Sequence, residues 1–259
     1  MKLNLTADYH THTIYSHGKG TVLENAMKAK ELGLKQIGIS DHGFAQLAFG
    51  LRHKKLPQLV ADCKEASEKT GIDVLVGIES NLCGEDGTTD LKQEDYPYFD
   101  LYLMGIHMFV NFDRFRDMRK IMFSSYLQTM FKKEGSKKLK DYTTKALINS
   151  IQKNPIDVIT HLNFISFCHV EEVAKVARDY GTYIELNAKK VHMTDEELFK
   201  VCETGVRFVV DSDAHSVDRV GEIALVETML DRVSIPLDRI DNIDGRLPNF
   251  RFKAYKERM

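Results

Sequence analysis

The chain is predicted to be an α/β protein built as a parallel barrel, with a functional site at the C-terminal ends of the strands. Three observations predict this. Seven short apolar stretches rich in Ile, Val, Leu and Tyr alternate with helical stretches. Most strands start about one βα unit after the last. Seven of the ten histidines fall in six short segments, most of them at strand ends.

The strands are expected at residues 5–13, 36–40, 74–80, 101–107, 157–161, 183–187 and 208–211. Thr21-Val22-Leu23-Glu24 is a capping box, followed at helical spacing by Ala26, Ala29 and Leu32 and stopped by Gly33. Thr194-Asp195-Glu196-Glu197 is a second, with Leu198, Val201 and Cys202 behind it and Gly205 as its stop. Residues 171–180 form a helix ending at Gly181. Residues 111–154 break the rhythm. Met118, Ile121, Met122, Tyr126 and Met130, then Tyr142, Ala146, Ile148 and Ile151, predict two helices inserted at one end of the barrel. Lys132, Lys133, Lys137, Lys138 and Lys140 read as a solvated helix junction rather than a nucleic-acid patch. No repeat or linker interrupts residues 1–259, so one domain is expected.

The bulk numbers narrow the function. Apolar content of 43%, charged content of 29% and a net charge of −2 describe an ordinary globule with no basic field. Long nucleic acid is therefore an unlikely partner. No apolar run is long enough to span a membrane. The first six residues are too polar for a secretion signal. Cys63, Cys83, Cys168 and Cys202 form no CxxC pair, which fits a reducing cytoplasm and packing as small hydrophobes.

The histidines carry the chemistry. His10 and His12 are two apart in a strand, so both imidazoles face one side and can reach one ion. Glu79 follows the apolar run Val76-Gly77-Ile78, where packing does not explain a carboxylate. His107 and His161 each end an apolar strand, and Asp213 and His215 form a second i, i+2 pair. Asp41, beside His42, either orients an imidazole or caps the next turn. Arg52-His53-Lys54-Lys55 reads as a solvated loop rather than a phosphate grip. His169 and His192 read as structural or exposed, and Arg219 carries no assignment.

In order along the chain these residues are HxH, a downstream His, an isolated Glu, two isolated His and a terminal DxH. The chain thereby resembles the PHP family, named for polymerase and histidinol phosphatase. The closest members in pattern are the small stand-alone, YcdX-like and histidinol-phosphatase-like ones. The resemblance spans His10 to His215. It implies a distorted (β/α)7 TIM-like barrel and three divalent ions, and mixed His and carboxylate ligands suit Zn, Mn and Fe alike. One ion would be held by His10, His12, Glu79 and Asp213. A second would share Glu79 and add His107 and His161. The third would take His17, His42 and His215.

Three dications against two carboxylates leave a positive site, which favours a phosphate ester. The function expected is hydrolysis of a small phosphomonoester by metal-activated water, with histidinol phosphate as one family substrate. No GxSxG or CxxxxxR motif supplies a nucleophile. A phosphodiesterase or exonuclease of the same family is the alternative. An amidohydrolase barrel also begins with HxH, but it usually adds an eighth strand and a ligand Lys. A non-catalytic metal-binding interaction barrel would have lost ligands, and all nine positions are intact here.

Overall fold

The computed structural model describes residues 2–112, 114–123 and 136–259. Its strands are β1 (Ala7–Thr11), β2 (Gln36–His42), β3 (Asp73–Asn81), β4 (Leu101–Gly105), β5 (Val158–Ile159), β6 (Tyr183–Asn187) and β7 (Phe208–Asp211). They lie in sequence order and pair in parallel, forming a nearly closed barrel with helices between the strands. The distorted (β/α)7 architecture expected from the resemblance is therefore present. Ala7, Tyr9, Leu101, Leu103, Val158, Tyr183 and Val209 fill the barrel interior. Phe250 packs edge-on against Tyr9 at 4.8 Å and supports that inner cluster. A larger apolar layer lies between the sheet and the helices.

A bulge in β1 sets the phase of the first two site histidines. From Asp8 to Thr11 the strand advances three residues while β2 advances two, from Ile37 to Ile39. The extra residue breaks the alternation. Tyr9 lies in the inner cluster, and His10 and His12 still reach the upper barrel, beside Glu79.

The seam between β1 and β7 is closed largely by side chains. Asn242 Nδ2 donates to Ala7 O at 2.9 Å and Val210 O at 2.7 Å, and its Oδ1 accepts from Val210 N at 2.9 Å. Asp211 Oδ1 accepts from Tyr9 N at 2.7 Å, and Asp8 Oδ1 from Ser212 N at 3.1 Å. Only near the rim do the backbones meet, where His12 N donates to Ala214 O at 2.8 Å.

Both capping boxes form, at α1 (Val22–Glu31) and at the helix Asp195–Glu203. Gly33, Gly181 and Gly205 take the left-handed conformation that ends each helix. The helix Leu56–Thr70 has the same kind of ends, Pro57 in its first turn and Gly71 at its cap, although the strand-and-cap reading did not single it out. β5 is shorter than its expected run because His161, at φ 28°, turns the chain away from the ladder. The second helix expected between β4 and β5 is present as Lys137–Lys153, with Lys137 and Lys138 exposed in its first turn. Phe115–Asp117 and Met118–Phe123 are helical. Tyr126, Met130, Lys132 and Lys133 lie outside the described residues. Cys63, Cys83, Cys168 and Cys202 are buried and form no disulfide with one another. Among the described residues no helix is long and apolar enough to cross a membrane.

Candidate metal centre

Glu79 is the hub of the strand-end cluster. It is fully buried. Five imidazoles approach its carboxylate: His161 at 2.7 Å, His42 at 2.9 Å, His107 at 3.1 Å, His10 at 3.3 Å and His12 at 3.7 Å. Asp213 closes the other side, 3.4 Å from His12 Nε2 and 3.2 Å from His215 Nδ1. The His12 ring lies 4.4 Å from that of His42 and 4.2 Å from that of His215 between centroids, tilted against both. His17 is exposed on the rim, its ring 4.4 Å from that of His215 and 5.3 Å from that of His42. The fold thus gathers all nine residues at one end of the barrel, with His17 joining by ring contact.

The donor set fits divalent cations. Nitrogens on one tetrahedral ion, each about 2.0–2.1 Å from it, stand about 3.3 Å apart. The Nε2 atoms of His10 and His12 are 3.1 Å apart, and those of His107 and His161 are 3.2 Å apart. Glu79 Oε2 and His42 Nδ1 are 2.9 Å apart but off the angle for a hydrogen bond, and both are buried without a hydrogen-bond partner, as is His12 Nδ1. An unpartnered buried polar atom costs about 1–3 kcal/mol. A cation among these lone pairs removes that cost. Among the described residues, three groups of donor atoms lie close enough to share an ion: His10, His12 and Glu79; His42, Glu79 and His107; and His12, His42 and His215. These overlap the grouping implied by the resemblance but divide His12 and His42 differently.

Charge and protonation follow from this crowding. Burial works against the Glu79 carboxylate, but His107, His10 and His161 outweigh it and hold its pKa well below the usual range. Burial also works against a charged His10, yet Glu79, Glu185 and Asp213 together hold its pKa well above the ordinary value. For His42 burial wins, and its pKa falls to about 4. His12 is likewise lowered, by burial and by neighbouring His42.

Two supports behind the imidazoles went unread in the sequence. Glu185 Oε1 contacts His10 Nδ1 at 2.6 Å while Oε2 accepts from His161 N at 2.6 Å. Its context in β6, Tyr-Ile-Glu-Leu-Asn, is the same signal that picked out Glu79, a carboxylate inside an apolar strand. Asn81 Oδ1 contacts His107 Nδ1 at 2.8 Å while its Nδ2 donates to Asp90 at 2.6 Å. Asp90 only accepts, so Asn81 presents its oxygen to His107. His107 therefore carries its proton on Nδ1 and leaves Nε2 free. Gly105 makes room for this, since a Cβ there would lie 2.7 Å from His161 Cε1 and 3.0 Å from His107 Cε1.

The remaining sequence candidates settle elsewhere. Asp41 accepts from Thr13 N at 2.8 Å and Thr13 Oγ1 at 2.6 Å, so it caps the turn after β1 and holds no imidazole. Arg52 donates to Leu47 O, and His53 meets Asp95 at 3.2 Å. His169 pairs with Asp141 at 2.8 Å, and His192 packs 4.6 Å from the Phe164 ring. A cleft of about 320 Å³ opens over the cluster, with Phe49, Phe109, Phe164 and Lys189 in its wall. Lys189 Nζ lies 3.3 Å from Asp213 Oδ1 and 3.1 Å from His215 Nδ1.

Residues 8–189 match the family model for the PHP domain. Among relatives, a probable phosphatase of Caldanaerobacter subterraneus subsp. tengcongensis is 31% identical over 255 residues, covering 93% of this chain and 89% of that one. A probable phosphatase of Thermoanaerobacter sp. is 29% identical, covering 96% of this chain and 95% of that one. The crystal structure of histidinol phosphate phosphatase from Lactococcus lactis subsp. lactis, complexed with zinc, L-histidinol and phosphate, superposes with a TM-score of 0.61. It is 14% identical and covers 94% of this chain and 98% of that one. The family match takes in seven of the nine clustered residues, from His10 to His161, and the parallel sheet has the seven strands the resemblance implied. The chain is a member of the PHP family.

Proposed function

We propose that this protein is a metal-dependent phosphoesterase that hydrolyses a small phosphomonoester. The ligands would be His10, His12, His17, His42, Glu79, His107, His161, Asp213 and His215, holding three divalent ions of Zn, Mn or Fe. We also read residues 1–259 as one barrel domain into which 111–154 is inserted. The observation that carries the reading is the Glu79 carboxylate with five imidazoles within 4 Å and buried lone pairs left unpartnered. The relatives described as probable phosphatases align along nearly the whole chain and support the same chemistry.

Divalent ions at such a site supply Lewis acidity, which acidifies water and neutralises phosphate oxygens. The protein's own residues do the rest. Glu185 and Asn81 fix the ring orientation of His10 and His107. Lys189 holds an ammonium at the cleft wall, beside Asp213 and His215, where a phosphate dianion would meet it. Among the described residues no serine or cysteine lines the cleft to compete as a nucleophile.

The test is phosphate release from a panel of monoesters after reconstitution with Mn or Zn, with Glu79→Gln as control. Release by the wild type, reduced at least 100-fold in a folded Glu79→Gln protein, is the expected result. Release that does not depend on Glu79, or none from any monoester, overturns the reading.

A further inference from the structure

The upper wall of the cleft has a composition that the metal cluster does not require. Three aromatic rings from separate loops converge there. Phe49 stacks on His17 with centroids 4.4 Å apart. Phe164 meets His161 edge-on at 5.0 Å and is 41% exposed. Phe109 is 55% exposed and sits at φ 59°. A bulky residue in the left-handed region is strained, and such strain persists only where surrounding contacts impose it. Here they do. Leu47 N donates to Phe109 O at 2.9 Å, Gln46 Nε2 to Met108 O at 2.9 Å, and Asn111 N to Ala45 O at 2.8 Å. The 45–47 loop thus holds the 108–111 segment in a conformation that leaves the Phe109 ring on the cleft wall and in water.

The charges at this wall are one-sided. Among the described residues lining the cleft, the only carboxylates are Glu79 and Asp213, both engaged by imidazoles. Among those same residues the ammonium lining it is that of Lys189. An amino-alcohol leaving group would bring its own ammonium past Lys189 and, among the described lining residues, meet only the two carboxylates that imidazoles already engage. A flat apolar group would instead cover exposed ring surface, gaining about 25 cal/mol per Å² buried.

We infer that Phe49, Phe109 and Phe164 form a subsite for the leaving group and select phosphomonoesters whose alcohol carries an uncharged aromatic ring over those carrying a cation. This rests on the phosphomonoesterase reading above and specifies its substrate class.

The test compares kcat/KM of the metal-loaded enzyme for 2-phenylethyl phosphate, glycerol 2-phosphate and L-histidinol phosphate, in the wild type and in Phe109→Ala and Phe164→Ala. Both side chains are exposed, and matched unfolding midpoints would confirm intact variants. Wild type is expected to favour the phenylethyl ester at least 10-fold over each of the others. Each variant should lose 5-fold or more of that preference, read as the kcat/KM ratio of the phenylethyl ester to glycerol 2-phosphate within the same variant, so that a general loss of turnover cancels. Calorimetric binding of benzylphosphonate should weaken in parallel. Hydrolysis of all three esters with ratios unchanged by the variants overturns the subsite and leaves the phosphatase standing. A preference for histidinol phosphate overturns it as well. No hydrolysis of any monoester overturns both readings.

Discussion

Glu185 and His10 form a buried pair, Oε1 to Nδ1 at 2.6 Å, while the other oxygen of the same carboxylate takes the backbone N–H of His161. One side chain from β6 therefore positions imidazoles on β1 and after β5. Glu185→Gln keeps the shape but turns one acceptor into a donor, which meets either the His10 or the His161 N–H. Metal affinity is expected to fall about 10–100-fold with the fold retained. Competition with a chelator measures it, and undiminished affinity would show that Glu185 only fills space.

Asn81 should behave similarly from the opposite wall. Asn81→Leu leaves the His107 Nδ1–H without its partner and removes one donor from Asp90, which keeps Ala45 N and Ser80 Oγ. A loss of about 2–4 kcal/mol in urea unfolding is expected, together with weaker metal binding. A stable variant with normal affinity would mean that His107 is oriented by its ligands alone.

Gly105→Ala adds one methyl where two ring carbons already approach, His161 Cε1 and His107 Cε1. Overpacking typically costs about 1–3 kcal/mol, but the displaced atoms are those two rings and, nearest at 2.5 Å, Thr160 Oγ1, which donates to Glu79. Activity is expected to drop at least 10-fold while thermal stability falls only modestly. The reverse pattern, low stability with intact activity, would place the strain elsewhere.

The pH response has a definite sign. Burial, partly opposed by Glu79, holds His42 down at about 4 against an ordinary 6.5. Between those values the unfolded chain carries a proton that the folded protein lacks, so His42 makes stability fall as pH drops through that window. His10 acts the other way, because its raised pKa contributes stability below 6.5 that is lost as pH rises through the folded value. In chelator, urea midpoints should fall from pH 6.5 to pH 4, and His42→Asn should flatten that slope. An identical slope in the variant would assign it to other groups.

Much of the site was legible because its residues sit at strand ends, where apolar runs stop and a polar side chain stands out. Glu79 and His107 were visible on that logic. Glu185 carries the same signal and was passed over because the family pattern contains one isolated Glu. The bulge in β1 left no mark, since HxH reads identically in either phase. The aromatic wall was out of reach for another reason. Phe49, Phe109 and Phe164 are spread over more than 100 residues, and only folding brings them to one cleft. Asn242 has no periodicity to betray it, being a single amide doing the work of a missing strand pairing.

That last arrangement makes the barrel a ring with a clasp. His10 and His12 stand on one side of the gap and Asp213 and His215 on the other, and below them amide and carboxylate side chains do most of the fastening. A cation gripping His12 and Asp213 together would act as the rivet of that clasp. Demetallation is then expected to loosen the ring at β1 and β7 first, so that amide exchange at Tyr9 and Val210 would report whether the protein is charged with metal.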